Sequence, residues 1–280
     1  LDLTGCTITT KDLTDSTPND NTKINKLLIS GNPEDDYSGY ELKNITVKGG
    51  TWNVKSSIAA HPIFQFAHVQ NLNIKNVTLL NGYDNHFIEM AAVKDVTISG
   101  STFSNMRVSD GTYARETIQL DINSGNFGDY NTTGKNPAIG CKNVEIKKCT
   151  FKNVVQGIGS HTSSATYPHS GISIHDNTFT NIKKTTNYYE NIAVHPYQWK
   201  DSKIYKNTIN AVAGTAIVVT ANNTGTKIYS NTISNVTKCG VSLRTGASCE
   251  SIRNNVINNS ATEGIYISGA SVINISGWAV

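Results

Sequence analysis

Hydrophobic and polar residues alternate along most of the chain in short runs, and no stretch carries the 3.6-residue spacing of an amphipathic helix. The runs recur. The segments "LKNITVKGGTW", "VQNLNIKNVTL", "VKDVTISGSTF", "CKNVEIKKCTF", "HSGISIHDNTF", "WKDSKIYKNTI", "TGTKIYSNTI" and "CESIRNNVI" are versions of one unit. An aliphatic anchor in each gives Val47, Ile74, Ile98, Ile146, Ile174, Ile204, Ile228 and Ile252, separated by 27, 24, 48, 28, 30, 24 and 24 residues. A basal period of 24 with β-branched residues on alternate positions is too short for a helical repeat pair and fits one coil of a parallel β-solenoid. The 48-residue step holds only one anchor, so it reads as a coil carrying an insertion.

Further columns support this register. Five residues after the anchors stand Trp52, Leu79, Phe103, Phe151, Phe179, Ile209, Ile233 and Ile257, a predicted stacked interior. Three residues after them come Cys149, Asn177, Asn207, Asn231 and Asn255; seven after come Asn81, Asn105, Asn153, Asn181, Asn235 and Asn259. Asparagine tolerates left-handed backbone, and its amide can bond its counterpart one coil away, so both columns predict asparagine ladders at turns.

These columns resemble the right-handed parallel β-helix proteins of the pectate-lyase-like superfamily over roughly residues 40 to 275. The resemblance implies an all-β, single-stranded right-handed parallel β-helix of about 8 to 10 coils. It divides the single domain of residues 1–280 into an N-terminal cap and first coil (1–40) and repeating coils (41–275). It also implies carbohydrate chemistry, since the superfamily includes polysaccharide lyases, polygalacturonase-type hydrolases, epimerases and phage tail depolymerases. "GVSLRT" is similar to the polygalacturonase strand that supplies a substrate-binding lysine and places Arg244 there. The adjacent aspartate pair of those enzymes has no counterpart, nor does the calcium-ligand set of pectate lyases, so no cofactor is predicted.

A second strand precedes each anchor: "IFQFA", "FIEMA", "TIQLD", "GIGSH", "NIAVH", "AIVVT", "GVSLR" and "GIYIS". Aligned coil by coil, its outward positions form two files. One reads Gln65, Glu89, Gln119, Gly159, Ala193, Val218, Ser242, Tyr266; the other reads Ala67, Ala91, Asp121, His161, His195, Thr220, Arg244, Ser268. A file that joins a carboxylate to two imidazoles suits a catalytic face better than a merely wetted one, which would carry Thr, Ser, Asn and Lys. Asp121, Glu89, Glu116, His161 and His195 are therefore the candidate catalytic residues. Insertions after "QLD", "GSH" and "AVH" border this face and bring Tyr130, Tyr167, Tyr197 and Trp199 near it; Tyr130, Tyr197 and Trp199, with His86, Arg115, Gln119 and Arg244, are candidate substrate contacts. His61, His68, His169 and His175 fall elsewhere in the coil and read as surface residues.

Composition narrows the class. A net charge of +3 without Lys/Arg runs argues against a nucleic-acid partner, and no apolar run is long enough for a membrane span. Five cysteines without a C-x-x-C pair argue against a zinc site. The surface is rich in Asn, Thr and Ser, which leans towards a secreted or cell-surface setting, and a chain that opens at Leu1 reads as an excised or mature piece. Three functions are in view: a glycoside hydrolase, a polysaccharide lyase acting on a uronic acid, and a non-catalytic glycan-binding solenoid. The polysaccharide is the expected partner, and "SVINISGWAV" offers no evident cap, so an adjacent domain, more chain or a homotrimer is expected at that end.

Overall fold

A computed structural model describes residues 1–10, 27–31, 35–55, 62–108, 115–123, 138–160, 165–185 and 191–277. Its strands assemble into three parallel sheets, each visited once per coil, and every strand pairing among the described residues is parallel. Sheet 1 contains Phe64–Ala67, Ile88–Ala91, Glu116–Asp121, Gln156–Gly159, Asn191–His195, Gly214–Val219 and Val241–Leu243. Sheet 2 contains the anchor strands, such as Val69–Lys75, Lys94–Ser99 and Lys142–Lys147. Sheet 3 contains the strands that follow, such as Thr102–Ser104, Thr150–Val154 and Thr178–Ile182. Sheets 1 and 3 are each nine strands deep.

The anchors pair one with the next: Val47 with Ile74, Ile74 with Ile98, Ile98 with Ile146, Ile146 with Ile174 and Ile174 with Ile204. The 48-residue step is thus one coil. Phe103, Phe151 and Phe179 stack in the interior with ring centroids 5.0 and 4.6 Å apart, and all three are buried. Every coil buries several such side chains, each adding roughly 1.5–3 kcal/mol, so the stack supplies its own core.

Both asparagine columns form ladders, by different means. Asn177 donates to the side-chain oxygen of Asn207, Asn207 to that of Asn231 and Asn231 to that of Asn255, at 3.0, 3.0 and 2.9 Å. These residues are buried, and the left-handed backbone sits one position earlier, at Asp176, Lys206, Ser230 and Asn254. The second column is exposed or half-exposed and does hold the left-handed conformation, with φ between 54° and 61° at Asn81, Asn105, Asn153, Asn181, Asn235 and Asn259. On the outside of sheet 2 the position after the anchor carries another ladder, in which His175 stacks on Tyr205 and Tyr205 on Tyr229 at 4.5 and 4.8 Å. Arg253 caps it, 5.2 Å above the Tyr229 ring.

Three histidines expected on the surface are buried. His68 adopts φ 57° at the corner between sheets 1 and 2, stacks on Tyr37 at 4.8 Å and bonds the Gly39 carbonyl through Nδ1. His169 accepts the Cys141 N–H at 3.0 Å, and His175 is held in the aromatic ladder. His68 and His169 fill space at corners between sheets, whereas His175 is covered by its stacking on Tyr205 on the outward face of its strand. His61 lies outside the described residues. All five cysteines are free thiols, with Cys6 exposed and the other four buried.

Candidate active site

The outward face of sheet 1 gathers most of the predicted residues. Gln65 pairs with Glu89, Glu89 with Gln119 and Gln119 with Gly159, while Ala67, Ala91 and Asp121 form the neighbouring file. Glu89 therefore stands one coil and two residues from Asp121, as the sequence predicts. With about 4.8 Å between coils and about 6.6 Å along two residues, their backbones are roughly 8 Å apart.

One register differs from the expectation. Gly159 pairs with His195, not with Ala193, because Ile158 packs beside Val194 instead of Ile192. His195 thus extends the file of Gln119 and Gly159 and does not share a file with Asp121; two coils and two residues separate their backbones by roughly 12 Å. A slip of two leaves every side chain on the face it already occupied, so alternation cannot detect it. Backbone contacts decide the register: a Cβ on Gly157 would lie 2.1 Å from the Ala193 carbonyl, and one on Gly214 would lie 2.0 Å from the Asn191 carbonyl. Only glycine admits so close an approach at these two points.

Gly159 has a second consequence. A Cβ there would stand 3.0 Å from His195 Cβ and 3.3 Å from Glu116 Cγ, so its absence leaves a notch flanked by an imidazole and a carboxylate. Glu116, not Asp121, is the acid beside His195. Glu116 is buried, and its carbonyl accepts a 2.8 Å hydrogen bond from Nδ1 of His86, whose ring also lies 3.8 Å from a Glu116 carboxylate oxygen. His86 belongs behind Glu116 as a support and is itself only 4% exposed.

Hydrogen bonds order the remaining polar groups. Asp121 accepts the Ile122 N–H at 2.7 Å through one oxygen and the Gln119 amide at 3.0 Å through the other. Glu89 accepts the Gln65 amide at 2.8 Å. Cys141 donates its thiol to the Asp121 carbonyl, and burial pushes that thiol up to about 12, which keeps it neutral. Towards the N-terminal end the face is closed: Tyr37 covers Ala67 and Ala91, and Asn123 contacts Nε2 of His68. Burial pulls the His68 imidazole below its ordinary value, against the raising effect of the Gly39 carbonyl and Glu41.

Towards the other end, Nε2 of His195 lies 3.2 Å from the Thr220 hydroxyl, and its ring meets Tyr197 edge-on at 6.1 Å. Arg244 stands in the file of Asp121 two coils beyond Tyr197 and donates Nε to the Ser242 hydroxyl at 3.2 Å. Arg115 immediately precedes the strand of Glu116 and is half-buried. Trp199 is not a ligand contact: it is fully buried and its indole donates to the Ser160 hydroxyl at 2.8 Å. Tyr130 and His161 lie outside the described residues. No group of three or more metal-ligating side chains converges among the described residues, and no described helix is long and apolar enough to cross a membrane.

Known proteins match this architecture. Residues 140–277 match the family described as the right handed beta helix region. No curated protein sequence matches the chain. The Streptococcus pneumoniae surface protein and adhesin PfbA is similar in structure, with a TM-score of 0.51 and 17% identity over 91% of this chain and 83% of that one. A glycoside hydrolase aligns at a TM-score of 0.48 and 12% identity, over 76% of this chain and 38% of its own length. A mannuronic acid specific family 6 polysaccharide lyase from human gut microbiota aligns at 0.30 and 14% identity, over 96% and 82%. With its stacked parallel sheets, its ladders and the matched region at 140–277, the chain is a right-handed parallel β-helix protein.

Proposed function

We propose that the chain cleaves glycosidic bonds of an extracellular polysaccharide on the outward face of sheet 1. The observation that carries this reading is the gathering of Glu89, Glu116 and Asp121 with His86 and His195 around Gln119 and the Gly159 notch. Carboxylates and imidazoles that are largely withdrawn from water on one face are costly to keep there for stability alone.

Glu89 and Asp121 are the acid–base pair. Their backbones are roughly 8 Å apart, and the directions of the two side chains set whether the carboxyls stand at the about 6.5 to 9.5 Å of inverting enzymes or the about 5 to 5.5 Å of retaining ones. Asp121 accepts a hydrogen bond at each oxygen, which suits the ionised partner that takes a proton from water; Glu89 then protonates the leaving oxygen. Glu116 and His195 line the notch where a sugar ring meets no side chain from Gly159. Arg115, Arg244 and Tyr197 extend the face as substrate contacts.

The test is a screen of neutral and acidic polysaccharides for released reducing ends, repeated with Asp121→Asn and Glu89→Gln. Each variant is expected to lose at least about a hundredfold in turnover, as general acid–base groups do. Products that absorb in the ultraviolet as unsaturated uronates would replace hydrolysis by β-elimination, with His195 or Tyr197 as base and Arg244 against the uronate. The non-catalytic reading is favoured by the likeness to a surface adhesin over most of the chain. Glycan binding without turnover, unchanged in both variants, would establish that reading and remove the enzymatic one.

A further inference from the structure

Sheet 2 carries charge in an uneven way. Its outward file at the start of the anchor strands runs Lys43, Gln70, Lys94, Lys142, Ser170, Lys200, each paired with the next. None of these four lysines lies within salt-bridge distance of a carboxylate among the described residues. Three other lysines of the sheet are ion-paired, Lys48 with Asp2, Lys147 with Glu145 and Lys227 with Glu250, while Lys75 and Lys203 are not, among the described residues. Asp95, beside Lys94, spends its carboxylate on the amides of Asn143 and Gln70. The file therefore holds four lysines, Lys94 and Lys142 one coil apart and Lys43 and Lys200 each two coils from the nearer of these, none of them in an ion pair with a described carboxylate.

The row borders a cavity of about 550 Å³ at the corner where the crossings from sheet 1 enter sheet 2. Lys142 and Lys200 stand on its rim with Ser170 between them, two coils or roughly 10 Å apart. Ile139, Pro168 and the half-exposed ring of Tyr167 supply an apolar wall, Thr166 and Ser170 supply hydroxyls, and Asp201 is the one acid among the described lining residues. Its floor is rigid: Cys141 donates to His169, Ser170 to the Cys141 carbonyl and Gly171 to the Lys200 carbonyl. Gly140 packs so tightly on the 167–168 backbone that a Cβ would lie 2.5 Å from the Pro168 carbonyl.

We propose that this corner binds an acidic saccharide segment, a carboxylated or sulfated oligosaccharide, at a site separate from the face of sheet 1. The lysine ammonium groups meet anionic substituents on sugars two coils apart, while Tyr167 and Pro168 take the apolar face of a ring and Thr166 and Ser170 its hydroxyls. Nucleic acid fits less well. The file holds no arginine, the net charge is only +3, and Tyr205 and Tyr229 farther along the sheet already use their faces on each other. The inference stands whether or not sheet 1 is catalytic.

Titration calorimetry tests it, on the Asp121→Asn background so that turnover cannot consume the ligand. The probes are a uronic acid hexasaccharide, a sulfated hexasaccharide, a neutral hexasaccharide and a single-stranded oligonucleotide of matched charge. At least one acidic hexasaccharide should bind, more weakly as salt is raised, and the Lys142→Gln/Lys200→Gln double variant should bind it about tenfold less tightly. Tyr167→Ala should weaken it without changing the salt dependence. Both lysines are exposed, and circular dichroism checks that the double variant is folded. The site is overturned if neither acidic probe binds, if the lysine variant binds as the parent does, or if the oligonucleotide binds as tightly. Which acidic probe wins separates carboxylate from sulfate recognition. A protein that binds here yet releases no reducing ends fails only the cleavage reading.

Discussion

The inner asparagine ladder offers the sharpest test of what holds the coils in register. In Asn207→Ala, four hydrogen bonds disappear. Asn207 Oδ1 accepts from the backbone N–H and the amide of Asn177 at 3.1 and 3.0 Å, and its Nδ2 donates to the Ile174 carbonyl and to Asn231 Oδ1 at 2.9 and 3.0 Å. The Asn177 amide keeps the Ile146 carbonyl, and Asn231 Oδ1 keeps the Asn207 backbone N–H. The Asn177 N–H and the Ile174 carbonyl lose these partners at a position that is 1% exposed. Each buried group so orphaned costs about 1–3 kcal/mol, and the expected loss is about 3 kcal/mol. Urea unfolding followed by circular dichroism measures the total. Because stacked coils can unfold piecewise, amide exchange at Asn177 supplies the local reading and should accelerate. Asn181→Gly is the control: it removes an exposed 2.7 Å bond to Asn153 and keeps the left-handed turn, so its effect should stay within about 1 kcal/mol. Equal losses in the two variants, or a loss below about 1 kcal/mol in Asn207→Ala, would refute the argument that burial makes the inner ladder the stronger one.

Acidification should act through His68. Its folded value lies below the ordinary 6.5, so the folded state binds fewer protons than the unfolded one, and stability falls as the pH drops below about 6.5. Thermal melts between pH 8 and pH 5 should show a shallower slope in His68→Asn, which keeps a residue tolerant of positive φ; parallel slopes would dismiss the role. Thiol reactivity should divide by burial, since Cys141 and Cys249 are pushed up to about 12 and Cys149 to about 11 by desolvation, and Cys239 is raised as well. At pH 8 a disulfide reagent should titrate Cys6 alone in the native protein and all five thiols in denaturant; rapid native reaction of a second thiol would show that the core opens.

Much of this protein could be read from its sequence, because a solenoid repeats one local problem. The anchors from Val47 to Ile252, the core column from Trp52 to Ile257 and both asparagine columns needed only a period of about 24 and alternation, since each coil packs chiefly on its neighbours. The diagonal of Glu89 and Asp121 followed from the same register. What the sequence left open depends on contacts that alternation does not encode. A two-residue slip preserves facing, so only the close backbone approach at Gly157 and Gly214 placed His195 beside Gly159 and Glu116 and away from Asp121. Burial of Trp199, His68 and His169 was set at the corners, where rings turn inward to fill space between sheets. Local pattern determined the coil; tertiary packing decided which acid stands next to which imidazole.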